Sequence, residues 1–172
     1  MIEPFINKIL VAVNGSQSAI EAAMYAIMMA KANNLSVKFV YVVDTATVKY
    51  LGMNQAIKQN QADEFQKELT AEAEHHLEYV KGLAASKGLE CEIQVRCGTV
   101  YAEINKAAAE FESDVIFVGA DETNTKKSGL GAMNSRVKNL SDILTNAKLP
   151  VFVIRDKNIP SKFESFVYSW KK

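Results

Sequence analysis

Short apolar runs rich in β-branched residues alternate along this chain with longer stretches in which apolar positions recur at three- and four-residue steps. The short runs predict buried strands, and the longer stretches predict amphipathic helices. Because strand and helix alternate, the pattern favours an α/β fold with a parallel sheet and helices on both faces. The predicted strands are 8–14, 37–44, 90–96, 114–118 and 151–154, and the predicted helices are 18–32, 63–86, 102–111 and 137–145.

Two of the predicted strands are suited to the edges of the sheet. The strand at 90–96 alternates strictly between apolar residues and charged or amide residues, so one of its faces can be wet. The last strand carries no charge that would protect an edge, and a bare apolar edge in a globular protein is usually covered. Pairing with a symmetry mate is the simplest cover, so the sequence predicts a homodimer. The predicted interface residues are Val151, Phe152, Val153 and Ile154.

Two serines have the spacing of a capping box, in which a serine begins a helix and a glutamate follows three residues later. Ser18 and Glu21 predict the start of the first helix. Ser161 and Glu164 predict the start of a short helix near the end of the chain.

The composition shifts after Ile154, which predicts an α/β domain over 1–156 and an amphipathic helical tail over 157–172. A helix this short needs a docking surface. That surface is either its own subunit or dimer mate, or else a partner protein or a membrane. The apolar face offered to it consists of Phe163, Phe166, Val167 and Trp170.

Charge and composition exclude several classes of function. Twenty Lys and Arg residues balance twenty Asp and Glu residues, so bulk charge does not favour a nucleic-acid partner. No apolar run reaches the roughly 18–20 residues that span a bilayer, and the first residues lack the pattern of a signal peptide, so a cytoplasmic protein is expected. Cys91 and Cys97 are interpreted as buried thiols, because one strand holds them about 20 Å apart, beyond disulfide reach.

Ligands of an open parallel sheet bind at the carboxyl ends of strands, where the strand order reverses. Two polar loops follow strands in this sequence, Asn14-Gly15-Ser16 and residues 119–134. Glycine, serine and asparagine let a backbone approach a phosphate closely. Both loops are therefore candidates for ligand binding.

The sequence offers no catalytic set and no metal site. A Walker loop and a Gly-x-Ser-x-Gly elbow are both absent from it. His75 and His76 are adjacent, so on a helix they point about 100° apart, whereas metal-binding pairs are usually four residues apart. One of them is expected to face solvent and the other to border the core. A non-catalytic protein is the prediction, with no catalytic residues and no metal ligands.

The sequence resembles a known family, the universal stress proteins. Five pieces carry the resemblance between about Asn7 and Arg155, and their order and spacing are more specific than any one of them. The pieces are Ile9–Ser16 (ILVAVNGS), Tyr41–Asp44 (YVVD), Gly98–Ile104 (GTVYAEI), Val118–Asp121 (VGAD) and Pro150–Ile154 (PVFVI).

The resemblance implies a doubly wound, Rossmann-like sheet of five parallel strands in the order 3-2-1-4-5, the adenine nucleotide alpha hydrolase-like fold. It also implies dimerisation through strand 5. One branch of the family binds ATP with Gly-x2-Gly-x9-Gly-Ser/Thr after strand 4, an Asp at the end of strand 1, and backbone groups near the end of strand 2. The candidate nucleotide-binding residues carried over in this way are Ala12, Val13, Asn14, Val42, Gly119, Asp121, Gly129 and Ser135.

Three departures break that ATP pattern. Asn14 replaces the acidic residue, and Glu122 replaces the second glycine, where a carboxylate repels phosphate. The Gly-Ser pair is missing, and Asn134-Ser135 is the best imitation of it. The first hypothesis is therefore a homodimeric, non-catalytic stress-response regulator with a degenerate nucleotide site and no required cofactor.

Two other hypotheses stay open. A nucleotide-binding switch or very weak ATPase would use the rearranged loop after strand 4, where Lys126, Lys127 and Arg136 favour anions, with ATP as its ligand. A redox sensor would act through Cys97.

Overall fold

The computed structural model describes residues 4–46, 49, 53, 59–120 and 139–167. Within them a five-stranded sheet has the order β3-β2-β1-β4-β5, and every neighbouring pair is parallel. The predicted α/β fold and strand order are confirmed. The strands are β1 (Lys8–Val13), β2 (Ser36–Asp44), β3 (Glu92–Gly98), β4 (Val115–Gly119) and β5 (Val151–Ile154).

Helices connect these strands and cover both faces of the sheet. They agree with the predicted helices to within a few residues at each end, and residues 45, 46, 49 and 53 are also helical. Among the described residues, no helix is both long and apolar enough to cross a membrane. The helices are α1 (Gln17–Asn33), α2 (Gln59–Ser86), α3 (Val100–Phe111), α4 (139–146) and α5 (Ile159–Ser165).

The core has two layers because successive strand residues point to opposite faces. On one face, α1, α2 and α5 cover a cluster that includes the fully buried rings of Phe39 and Phe117. On the other face, α3 and α4 cover a smaller cluster around Leu10, Val40 and Ile116. The central strands β1 and β4 are buried on both faces, which explains their nearly continuous apolar sequences.

The first helix begins at a different serine from the one that the capping-box spacing predicts. Ser16 is the N-cap, and its hydroxyl accepts a hydrogen bond from the amide of Ala19 at 3.2 Å. Ser18 lies inside the first turn, so the Ser18–Glu21 prediction is wrong. The spacing rule fails here because the Ser16 hydroxyl is held at the start of the helix by a hydrogen bond to Asn14 Oδ1.

The tail helix docks on its own subunit. Ile159 and Phe163 are buried, and Phe163 belongs to the cluster beneath α1 and α2. Lys87 donates from Nζ to the carbonyl oxygen of Phe166 at 3.0 Å, and its ammonium lies 4.7 Å from the centroid of the Phe163 ring. A partner surface at Phe163 is therefore excluded by its burial.

Three other tail predictions have different outcomes. The helix begins at Ile159, with a proline in its first turn, so the Ser161 cap is wrong. It ends at Ser165, which leaves Val167 82% exposed instead of on a docked face. Trp170 lies outside the described residues.

The edge strand β3 is protected by charge. Arg96 donates to Glu103 at 2.9 Å and forms a two-pronged pair with Glu110 at 2.7 and 3.2 Å, which ties α3 to the edge of the sheet. The thiols on this strand and just before it are less buried than predicted, because Cys91 is half-buried and Cys97 is exposed at the strand end.

Candidate functional site

The carboxyl ends of three neighbouring strands bring together most of the predicted nucleotide-binding residues that the structure describes. Val13 pairs with Tyr41, so continuing that register by one residue places Asn14 beside Val42. Val11 pairs with Phe117, and two further residues place Gly119 beside Val13. Because the chain leaves β1 for β2 on one side and later returns to β4 on the other, this end of β1 is the topological switch point of the sheet.

The turn after β1 is held by side chains of its own residues. The Oδ1 atom of Asn14 accepts hydrogen bonds from the amide of Ser16 at 3.1 Å and from its hydroxyl at 2.6 Å. The intervening Gly15 has a φ of 74°, which a residue with a β-carbon adopts only with strain. This geometry is that of an Asx turn, and it orients the first turn of α1.

The Ser16 hydroxyl is held by the residues around it. It donates its proton to Asn14 Oδ1 at 2.6 Å, it accepts from the amide of Ala19 at 3.2 Å, and the Ser18 hydroxyl lies 3.1 Å away. A hydroxyl offers one proton and two lone pairs, so the turn and the helix cap use the proton and at least one lone pair. Ser16 therefore has a structural role.

The remaining strand residues offer backbone groups to a ligand. The side chains of Ala12 and Val42 pack into the cluster beneath α3 and α4, whereas Val13 is buried on the opposite face. Hydrogen bonding by these three residues to a ligand is restricted to their amides and carbonyls. That agrees with the backbone role that the sequence resemblance implies for Val42.

Gly119 has a structural reason to be glycine. A β-carbon built on it would stand 2.3 Å from the carbonyl carbon of Ser18 and 2.6 Å from the amide nitrogen of Ala19. Real β-carbons do not approach backbone that closely, so α1 can lie against the end of β4 only because residue 119 has no side chain. The glycine is therefore not by itself a sign of a phosphate-binding loop. Asp121, Gly129 and Ser135, together with Glu122, lie outside the described residues.

The contact of His76 with the turn after β1 is not predicted by the sequence. As expected, His75 is exposed while His76 borders the core, but the ring of His76 also lies directly beneath the turn after β1. Its Nε2 atom is 2.7 Å from the position of a β-carbon on Gly15, and the ring stacks on Tyr41 with centroids 6.0 Å apart. Nothing in the linear pattern links residue 76 to residue 15, because helix α2 brings them together only in the folded chain.

Acidic and basic groups beside the carboxyl end of β3 form a closed ion-pair network. Glu103 accepts from Lys106 at 2.7 Å and from Arg96 at 2.9 Å. The Lys106 hydrogen bond and, after it, that of Arg96 hold the pKa of Glu103 below its ordinary value. Because each of these charges has a partner, the network holds α3 against the end of β3.

The described residues also include a groove of about 760 Å³ at the opposite, amino end of the sheet. Its lysines are engaged in intramolecular contacts, since Lys31 donates to the carbonyl of Gly88 at 2.7 Å and Lys8 and Lys38 lie over the Phe111 ring. Among all the residues that the structure describes, no three His, Cys, Asp or Glu side chains are placed to share a metal ion. The switch point is therefore the better candidate site.

Comparison with known proteins agrees with the fold and the order of the motifs. A universal stress protein of Methanocaldococcus jannaschii is 29% identical over 154 residues, which span 89% of this chain and 84% of that protein. A protein of the universal stress protein family from Burkholderia pseudomallei has a TM-score of 0.65 at 19% identity, over 90% of this chain and 100% of that chain. The universal stress protein of Archaeoglobus fulgidus, solved in complex with dAMP, has a TM-score of 0.58 at 19% identity, over 88% of this chain and 100% of that chain.

The five-stranded sheet described above is the adenine nucleotide alpha hydrolase-like fold that these structures share. The sequence profile of the universal stress protein family matches residues 6–155. The chain belongs to the universal stress protein family.

Proposed function

We propose that this chain is a non-catalytic, homodimeric regulatory protein whose switch-point crevice binds an adenine nucleotide with a single phosphate. The observation that carries the proposal is the alignment of Asn14, Val42 and Gly119 at the ends of three neighbouring strands. A crevice in this position is where open α/β sheets bind nucleotides. The relative from Archaeoglobus fulgidus, which has the same fold, was solved in complex with dAMP.

The preference for one phosphate follows from what the chain keeps and what it has lost. The ends of β1, β2 and β4 that would face the nucleoside lie side by side, and hydrogen bonds within the chain form the Asx turn at Asn14. The glycine motif that would hold a triphosphate is broken at Glu122. A carboxylate repels a phosphate chain of high negative charge more than it repels a single phosphate. Nucleoside binding without a triphosphate cradle is the expected result.

Dimerisation is proposed through β5. Within the described residues this strand pairs only with β4, and Phe152 and Val153 are 38% and 42% exposed in the single chain. The amide of Ile116 donates to the carbonyl of Pro150, and that of Ala120 to the carbonyl of Ile154. Since strand residues alternate, Val151 and Val153 direct their amides and carbonyls away from β4, where a second β5 could pair with them. The opposite edge, β3, is closed by charge.

Thermal unfolding with dAMP, AMP or ATP tests the nucleotide assignment. At a ligand concentration of 100 Kd, one specific site raises the free energy of unfolding by about 2.7 kcal/mol. We expect this increase with dAMP and AMP, and a much smaller one with ATP at the same concentration. Glu122→Gly should increase the effect of ATP, whereas Glu68→Gln, on the exposed surface of α2, should not change it.

Two results would contradict the proposal in different ways. Equal stabilisation by ATP and dAMP would mean that Glu122 does not disable the triphosphate site, and the switch hypothesis would replace the degenerate one. If none of the three nucleotides stabilised the protein, the nucleotide-binding part of the proposal would be wrong. A regulator that acts through its protein surfaces would remain.

A further inference from the structure

The ring of His76 contacts three separate parts of the structure at the candidate site. It projects from the middle of α2, stacks on Tyr41 of β2 at an interplanar angle of 9°, and meets the ring of His75 edge-on at 6.2 Å. Its third contact is with Gly15, on the side where that residue has no side chain. The His76 side chain is 24% exposed, and its Nε2 atom lies 3.5 Å from Glu72 Oε1. These four contacts, with Tyr41, His75, Gly15 and Glu72, fix the plane of the imidazole ring.

The position of this ring matters because Gly15 is the pivot of the turn after β1. Its left-handed backbone reverses the chain between Asn14, whose side chain closes the turn, and Ser16, which caps α1. The ring occupies the space next to the α-carbon of Gly15, so the turn cannot move toward α2 without displacing it. Support for the turn therefore comes from His76, a helical residue 61 positions further along the sequence.

We propose that His76 is a positioning residue for the nucleotide crevice, and that it acts through Gly15 to hold Asn14 and the first turn of α1 in the binding geometry. This inference rests on the proposed nucleotide-binding function, but it makes a separate claim about the unliganded turn. His76 faces the layer of α1 and α2, whereas Ala12 and Val42 face the layer of α3 and α4. The imidazole therefore lies on the opposite side of the turn from Ala12 and Val42, where it supports Gly15.

The test measures hydrogen exchange and dAMP affinity in three variants of the full chain. His76→Ala removes the ring, His76→Gln keeps an amide group at about the reach of Nε2, and His75→Ala is the matched control on the exposed neighbour. The informative amides are those of Ser16 and Ala19, which donate within the turn. The amide of Val11, in the centre of β1, reports global unfolding.

We expect His76→Ala to speed exchange at Ser16 and Ala19 by about tenfold relative to Val11, since the turn opens locally. The same variant should weaken dAMP binding by about tenfold. His76→Gln should restore both quantities to within about threefold of the wild type, and His75→Ala should leave both unchanged. Burial of a ring with no positioning role would accelerate all three amides together and would not be rescued by glutamine.

Unchanged local exchange in His76→Ala, or an equal effect of His75→Ala, would overturn the inference. If the wild type fails to bind dAMP, the proposed function fails, and the exchange data alone decide whether His76 holds the turn. If dAMP binds with unchanged affinity to a His76→Ala protein whose turn exchanges rapidly, His76 holds the turn but does not position the site, and the inference is wrong.

Discussion

Gly119 and Ser18 are in backbone contact at the point where β4 meets the start of α1. A β-carbon on residue 119 would lie 2.3 Å from the carbonyl carbon and 2.4 Å from the carbonyl oxygen of Ser18. Because the neighbouring atoms are main chain, no side-chain rotation can relieve the overlap. The contact fixes the distance between the helix and the sheet beside the candidate site.

We therefore expect Gly119→Ala to lower the free energy of unfolding by about 3 kcal/mol or more, within the range of severe overpacking. Urea denaturation followed by circular dichroism measures the change. Gly82→Ala is the matched control, because a β-carbon there meets nothing within 4 Å. In the interior of α2 alanine should stabilise the protein by about 0.5–1 kcal/mol. A tolerated Gly119→Ala would show that α1 can move away from β4 at little cost.

The pair Gly15 and His76 predicts a second, non-additive effect on stability. Gly15→Ala puts a β-carbon 2.7 Å from His76 Nε2 and forces alanine to a φ of 74°, so it should cost about 2 kcal/mol or more. His76→Ala removes the overlap but not the backbone strain. The double variant should be less destabilised than the sum of the two single variants, by about 1 kcal/mol.

A double-mutant cycle in urea provides that measurement, and it depends on no ligand. The cycle of Gly15→Ala with His75→Ala is the control and should be additive, because His75 is exposed and the three atoms nearest a β-carbon on residue 15 all belong to His76. Additivity in the His76 cycle would mean that the ring does not constrain residue 15.

Much of the fold follows from the sequence because hydrophobic periodicity reports which faces are buried. The alternating apolar and polar residues before Gly98 predict that β3 is an edge strand with one face in solvent. The uncharged run that begins at Val151 predicts that β5 is an edge strand without protecting charges. The predictions that were wrong concern features that depend on contacts formed only in the folded chain. Ser18 has the capping-box spacing, yet Ser16 is the cap because Asn14 fixes its hydroxyl.

The candidate site divides in the same way. The resemblance to the universal stress proteins predicted Asn14 and Val42 as candidates at the ends of strands 1 and 2, and the parallel registry of the structure sets them side by side. The role of His76 depends on the placement of α2 against the turn. The packing role of Gly119 depends on how closely α1 approaches β4. Residue spacing along the chain does not report either of these distances. A glycine required for close packing therefore cannot be distinguished, from sequence alone, from a glycine required for phosphate binding.

Asp114 predicts how stability depends on pH. Its Oδ2 atom accepts from the amides of Asn7 at 2.7 Å and Lys8 at 2.9 Å, which joins the start of β1 to the turn before β4. These two backbone hydrogen bonds, that of Asn7 first, lower the pKa of the carboxyl below its ordinary value. The stabilisation is therefore complete above the unfolded pKa of about 3.9 and is lost as the pH falls through the lower folded value.

We expect Asp114→Asn to cost roughly 1 kcal/mol at pH 7, because hydrogen bonds to an ionised acceptor are stronger than those to a neutral one. The difference from the wild type should shrink as the pH falls below about 4. Denaturation at a series of pH values measures it, with the exposed Glu68→Gln as the reference variant. A difference that stays constant down to pH 2 would show that the charge of Asp114 does not contribute.

The bare edge at β5 gives the final prediction. Val153→Glu places a carboxylate on a residue that is 42% exposed in the single chain, so the monomer should tolerate it with little loss of stability. In a β5–β5 pair the two symmetry-related carboxylates would be brought close together and stripped of water, which is costly for unpaired charges. Sedimentation velocity should therefore show a dimer for the wild type and a folded monomer for the variant.

Tyr79→Glu is the control for that experiment, since Tyr79 is an apolar surface residue of similar exposure, 50%, on the outer side of α2. It should leave the dimer intact. If Val153→Glu remained dimeric, subunits would associate through another surface, and the exposed Phe152 and Val153 would need a different partner. If both variants became monomeric, charge would be weakening association generally, and β5 would lose its special role. Only a selective loss in Val153→Glu agrees with pairing at this edge, where β5 lacks the ion pairs that close β3.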